Sequence, residues 1–226
     1  MKKLLRNNAI FIGLSLTLIL VLGLALLCLP KEELHLLLCD RHTPARDLFY
    51  HYYTHIAEWL PYCLCLLVFI FGRAGDAAMA ATSIACSELT TQIIKHIVQA
   101  PRPITWFTEH FPDIQLPLVD GVRMNHYISF PSGHTTSFFA LFFVLSIIAT
   151  ENLAAKRPYS VAIQLLLFIA AALGGYSRIY LCQHFALDVF GGIVVGLLIS
   201  TLCYAIFSRY EDKKWYNYCL LTKKMT

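Results

Sequence analysis

The chain has 226 residues, of which 58% are hydrophobic and only 14% charged, with a mean hydropathy of +0.60 and a formal net charge of +4. That balance excludes an ordinary soluble globule, whose charged fraction is near 25%, and gives no footing for a nucleic-acid partner. Apolar runs of about 20 residues, the length a helix needs to cross a bilayer, recur along the sequence and point to one compact membrane domain over residues 1–226.

The first run, Ala9 to Leu29, follows Lys2, Lys3 and Arg6 and has the flanks of a secretion signal. No A-x-A pattern closes it, and Leu27 before Cys28 is too bulky for a lipoprotein-type cleavage site, so a retained first helix is expected. Five further spans are predicted: Ile56 to Phe71, Ala77 to Val98, Thr135 to Thr150, Val161 to Gly175, and Ala186 to Phe207. The expected fold is an all-α integral membrane bundle of six transmembrane helices.

Six spans put both termini on one side. That side collects Lys2, Lys3, Arg6, Arg73, Lys156, Arg157, Arg209, Lys213, Lys214, Lys223 and Lys224, against Lys31, Arg41, Arg46, Lys95, Arg102, Arg123 and Arg178 opposite. The bias predicts cytoplasmic termini and an outer face built from connections 30–55, 99–133 and 176–185. There Phe49, Tyr50, Tyr52, Tyr53 and Trp59 resemble an interfacial aromatic belt. Of eight cysteines, Cys28, Cys63, Cys65, Cys86 and Cys203 lie in apolar runs and read as small hydrophobes. Cys39 and Cys182 fall on the outer side and could pair in an oxidising compartment, although nothing in their spacing requires it.

Three outer segments combine cations, histidines and small residues. In the first, Lys95 ends the third span and Arg102 follows in an extended loop between Pro101 and Pro103. Taken alone, Lys95 could simply snorkel and Arg102 be a loop charge. In the second, Pro131-Ser132-Gly133-His134 opens the fourth span, where unpaired backbone N–H groups, a residue without Cβ and a hydroxyl suit an anion. The plainer alternative makes Ser132 an N-cap and His134 an interfacial histidine. In the third, Ser177-Arg178 precedes His184 and Asp188, whose spacing of four puts both on one face if they open the sixth helix. A carboxylate there would fix the imidazole tautomer and leave the other ring nitrogen free to attack; a purely structural pair is the alternative.

Elsewhere, His51 and His55 could make half of a metal site, with Glu58 the nearby acid, but the surrounding tyrosines favour an interface. Glu88 and Gln92 are expected to face the bundle, and Arg123 and His126 to serve as accessory contacts to a head group.

Taken together, Lys95-x6-Arg102-Pro103, Pro131-Ser132-Gly133-His134 and Ser177-Arg178-x5-His184-x3-Asp188 resemble the tripartite signature of the type 2 phosphatidic acid phosphatase superfamily, with all eleven signature residues present in order. The resemblance implies a phosphoric monoester hydrolase with catalytic segments 95–103, 131–134 and 177–188. It implies His184 as nucleophile, Asp188 orienting it, His134 as acid, and Lys95, Arg102, Ser132, Gly133 and Arg178 clamping the phosphoryl oxygens. No metal or other cofactor is implied; the partners are the bilayer and a phosphorylated membrane lipid. Within the superfamily the short chain and the segment Gly121 to His134 are most similar to bacterial lipid A phosphatases of the inner membrane. An undecaprenyl-diphosphate or phosphatidylglycerophosphate phosphatase would use the same residues, and a non-catalytic lipid-binding or transport protein is the alternative from another class.

Overall fold

The computed structural model describes residues 1–153 and 157–221. Among them there are ten α-helices: α1 (Lys2–Asn7), α2 (Ala9–Cys28), α3 (Lys31–Cys39), α4 (Pro44–Thr54), α5 (Ile56–Phe71), α6 (Ala74–Val98), α7 (Pro103–His110), α8 (Gly133–Leu153), α9 (Arg157–Tyr180) and α10 (Ala186–Phe207). A 3-10 turn, Ser208–Tyr210, follows, and no strand occurs among the described residues. The all-α expectation holds.

Every predicted span is a helix, but length and hydropathy qualify only α2, α8, α9 and α10 as candidate crossings, or five if α4 and α5, bent by 45°, count as one. The α5 helix has only 16 residues, and α6, with 25, carries Asp76, Glu88 and Lys95. Helix ends also differ from expectation. The α9 helix runs on through Ser177 and Arg178, which therefore sit on its last turns rather than in a connection. The stretches 30–55 and 99–133, read as connections, contain α3, α4 and α7. Local chemistry accounts for two of these starts: Thr43 Oγ1 accepts the Arg46 N–H at 3.3 Å ahead of Pro44 at α4, and Pro103 follows an extended Arg102 at α7.

The centre of the bundle is α8, packed against α6, α9 and α10. Phe138, Phe139, Phe143 and Ile147 are buried there, whereas α2 buries only Phe11 and Ser15 and lies along the outside. Lipid tails are as apolar as these side chains, so association draws on close contact more than on hydrophobic burial. The sequence supplies small residues where backbones meet. Ala80, Ser83, Ser87 and Thr91 recur at helical spacing down the buried face of α6, and Thr91 Oγ1 bonds Thr136 Oγ1 of α8 at 3.2 Å. On α10, a Cβ at Gly192 would come within 2.7 Å of the Ser132 carbonyl oxygen, and one at Gly196 within 2.8 Å of that of Thr136. Only glycine lets α10 lie against the start of α8 this closely.

One end of the bundle is laced by ions. Lys3 pairs with Glu151 and Glu211 at 3.0 Å each, Arg73 pairs with Asp76 and Glu151, and Tyr216 Oη donates to Asp76 at 3.1 Å. The two ends of the described chain therefore lie together, with the basic residues Lys3 and Arg73. Lys156, Lys223 and Lys224, assigned by sequence to the same side, lie outside the described residues, as does the side chain of Arg157. In the aromatic cluster, Phe49, Tyr52 and Trp59 are exposed as a belt requires, but Tyr50 turns inward and packs on Tyr176 and Tyr180.

Candidate active site

At the end of the bundle away from that ionic lacing, a cavity of about 400 Å³ is lined by Lys95, Arg102, Gly133, His134, Arg178 and His184, together with Glu58, Glu88 and Asn125. Six of the eight predicted site residues thus share one wall. Lys95 tops the small-residue stripe of α6, and its Nζ would lie 3.8 Å from a Cβ added at Gly133, so the ammonium faces the first turn of α8. Arg102 is 7% exposed and held on several sides: its Nε donates to the Tyr127 carbonyl at 3.2 Å, and its Nη1 to the Gln183 carbonyl and to Gln183 Oε1, both at 3.1 Å. Arg178 donates to Thr54 Oγ1 at 2.5 Å and to Gln183 Oε1 at 3.5 Å, while its buried Nε meets no partner among the described residues.

Gln183 is a residue that the signature does not contain. Its carbonyl end accepts from both arginines, and its amide donates to the Arg123 carbonyl at 3.2 Å. Two guanidinium groups that would repel are thereby tied to one neutral dipole. Of Arg123 and His126, expected as head-group contacts, the His126 carbonyl accepts from the Arg102 N–H and from Thr105 Oγ1 while its Nδ1 lies 3.2 Å from the same hydroxyl, and Arg123 lines a neighbouring cavity with His134 and Arg178.

His184 lies just before the N-cap of α10, not on its first turn, and Asp188 is the third helical residue. The expected pairing still forms: His184 Nδ1 is 3.3 Å from Asp188 Oδ2. The same oxygen accepts the Phe185 N–H at 2.9 Å and the Ser129 hydroxyl at 2.5 Å. Ser129, fully buried and 3.3 Å from His184 Nδ1, was not singled out by sequence, because a serine in an irregular loop carries no periodic or motif signal. With Nδ1 turned to the carboxylate, Nε2 is the nitrogen available to the cavity. Burial first, then the cations Arg102, Arg178 and Lys95, hold His184 well below the ordinary histidine range, so the imidazole is neutral.

The two remaining predicted residues do not line the cavity. Asp188 lies behind His184, as an orienting group must. Ser132, fully buried, accepts at Oγ from the Thr135 N–H and hydroxyl, and its own N–H goes to the Asp188 carbonyl at 2.9 Å. Its N–H is therefore not part of an anion cradle; the first N–H groups of α8, those of Gly133 and His134, are the ones left for that role. His134 Nε2 is 3.3 Å from Glu58 Oε1, which also meets His55 Nδ1 at 3.1 Å. Glu58 thus meets the site histidine and His55, one of the pair considered for a metal. Glu88 accepts from Gln92 Nε2 at 2.6 Å and lines the cavity beside Lys95.

A PAP2 superfamily family model matches residues 76–212, which include all eight predicted site residues. Lipid phosphate phosphatase 2 of Arabidopsis thaliana is 32% identical over 183 residues, 71% of this chain and 62% of that protein. Lipid A 4'-phosphatase of Porphyromonas gingivalis is 27% identical over 194 residues, 82% of this chain and 75% of that one. The chain thus spans less than two thirds of the plant relative's length. Among solved structures, the crystal structure of Aquifex aeolicus LpxE superposes with a TM-score of 0.62 at 26% identity, covering 76% of this chain and 93% of the other. A PAP2 type phosphatidylglycerolphosphate phosphatase from Bacillus subtilis, at 19% identity, shares the fold with a TM-score of 0.65 over 92% of this chain and 99% of its own.

Proposed function

The chain belongs to the PAP2 superfamily, and from that membership we propose that it is a membrane phosphatase which removes phosphate from a lipid through a phosphohistidine on His184. The observation that carries this reading is the convergence of three cations and two histidines on one cavity, with His184 Nδ1 already committed to Asp188.

In the proposed reaction His184 Nε2 attacks phosphorus in line, a P–N bond forms, and the P–O bond to the lipid breaks. Lys95, Arg102 and Arg178 surround the equatorial oxygens, supplying the positive charge that a loose phosphoryl-transfer transition state needs, so no metal is invoked. His134 gives a proton to the departing alkoxide, with Glu58 facing its Nε2. It then takes one from the water that cleaves the P–N bond, releasing inorganic phosphate and restoring His184. Asp188 balances the charge that His184 acquires as it becomes phosphorylated.

The same reading counts α5 and α6 as crossings, giving six spans, and assigns the end with Lys3 and Arg73 to the cytoplasm by its positive charge. The site then faces the periplasm of a bacterial inner membrane, at a depth where acyl or prenyl chains stay in lipid while the phosphate reaches the cations. Lipid A is the proposed substrate, supported by the likeness to the P. gingivalis lipid A 4'-phosphatase. Undecaprenyl diphosphate and phosphatidylglycerophosphate are the competing substrates.

The test is phosphate release by purified protein from bisphosphorylated lipid A, undecaprenyl diphosphate and phosphatidylglycerophosphate, each with a chelator present. The expected result is turnover that the chelator leaves unchanged, fastest with lipid A. No release from any lipid, or release that only added metal restores, would overturn the mechanism; preference for another lipid would overturn the substrate alone.

A further inference from the structure

Beside the site lies a second cluster that the phosphatase chemistry does not use. His35 and Cys39 of α3 and Cys182 of the loop between α9 and α10 are all fully buried, and their ligand atoms lie within 4.8 Å of one another. Cys39 and Cys182 are 143 positions apart in sequence, since 182 − 39 = 143, yet the fold sets their sulfurs side by side. Neither sulfur has a strong partner: each lies 3.8 Å from a carbonyl oxygen, of Leu36 and Pro117 respectively. His35 packs tilted on Phe107 and edge-on to Phe185, and neither of its ring nitrogens meets a hydrogen-bond partner among the described residues. Cys182 also has φ of 51°, a left-handed conformation that β-carbon residues resist, two positions before His184.

We infer that Cys39 and Cys182 form a disulfide bond that fastens α3 to the loop carrying His184. Three consecutive residues then hold the loop: Cys182 by the cross-link, Gln183 by the two arginines, and His184 by Asp188. The inference rests on the outward orientation proposed above, because such a bond persists in an oxidising compartment. The chemistry is thiol–disulfide exchange with a disulfide donor of that compartment. The Cys39 thiolate attacks one donor sulfur and expels the other as a thiolate. The Cys182 thiolate then attacks Cys39 Sγ and expels the first. Overall two protein thiols lose two protons and two electrons, and the donor disulfide becomes a dithiol. Because both sulfurs are enclosed in the finished fold, the exchange precedes the docking of α3.

The test quenches cells in acid to stop thiol exchange, alkylates under denaturing conditions so that buried free thiols also react, and maps the peptides of the purified protein without reductant. The expected result is a linked pair of peptides containing Cys39 and Cys182, with the other six cysteines alkylated. It is accompanied by a half-life at elevated temperature that falls by about tenfold or more on adding reductant. Cys39→Ser should show the shortened half-life and no response to reductant. If both cysteines from quenched cells are alkylated but link when the reduced protein meets oxidised glutathione, the pairing geometry stands and the outward orientation fails, which overturns the inference. If they link under neither condition, or if the protein carries one equivalent of zinc that Cys39→Ser loses, the cluster is not a disulfide.

Discussion

Removing one hydroxyl that never touches the cavity should slow the reaction. Ser129 donates to Asp188 Oδ2 at 2.5 Å, in a pocket where the serine is fully buried and Asp188 is 3% exposed. In Ser129→Ala the carboxylate keeps the Phe185 N–H and His184 Nδ1 but loses its shortest hydrogen bond. A hydrogen bond to a charged group contributes about 1.5–3 kcal/mol. If the fixed position of Asp188 matters chiefly as His184 gains charge, that loss falls on the transition state, and 1.36 kcal/mol per tenfold makes it roughly a ten- to hundredfold drop in kcat. KM should hold, because the cavity wall is untouched. Steady-state kinetics on a short-chain phospholipid in detergent reads both parameters, with a thermal melt to show that the variant is folded. A folded Ser129→Ala enzyme with the parent kcat would refute the account of how His184 is held. A raised KM with unchanged kcat would refute it too, by moving Ser129 to substrate binding.

Three other outcomes follow from the same geometry. Arg102→Lys keeps the charge but cannot reach Tyr127 and Gln183 together while facing the phosphate; kcat/KM should fall about 10²-fold, whereas an unchanged value would mean that charge alone suffices. His184 is held below the usual histidine range in the free site, so the His184 contribution to kcat/KM should stay level as pH falls through about 6.5 and drop only at lower pH. For stability, the unfolded chain takes up that proton first. The folded state is therefore fully stable above about 6.5 and loses stability as pH falls from there toward the folded value, a slope that melts of His184→Ala should lack. Gly192→Ala would push a methyl to within 2.7 Å of the Ser132 carbonyl oxygen, costing about 1–3 kcal/mol and lowering the melting temperature; an unchanged melt would show that α10 does not depend on that close approach.

The site was legible in sequence wherever function demands an unusual residue in an apolar setting. Lys95, Arg102, His134, Arg178 and His184 are conspicuous because a cation or histidine at a span end is costly without a partner, and the cavity gathers all five. What the sequence hid is what three-dimensional packing decides. Gln183 and Ser129 are common polar residues whose roles arise only when the loop after α9 meets the loop before α8. Ser132 was legible as a hydroxyl at a helix start, but not the anchoring of its N–H on a carbonyl from α10, a partner 56 residues away by 188 − 132. The spans were readable as apolar runs, but α3, α4 and α7 were not, since each is short and its start is set by Pro or Thr in what reads as loop. The spacing of Cys39 and Cys182 was silent for the same reason. Only the docking of α3 brings the two sulfurs together.

The central claim is that His184 becomes phosphorylated. Rapid mixing of the enzyme with a lipid carrying radiolabelled phosphate, followed by quenching in alkali, tests it directly. The account predicts label on the protein that survives alkali, is lost in acid, maps to His184, appears and decays at rates compatible with turnover, and is absent in His184→Ala. Turnover without any labelled protein, or full activity in His184→Ala, would contradict it.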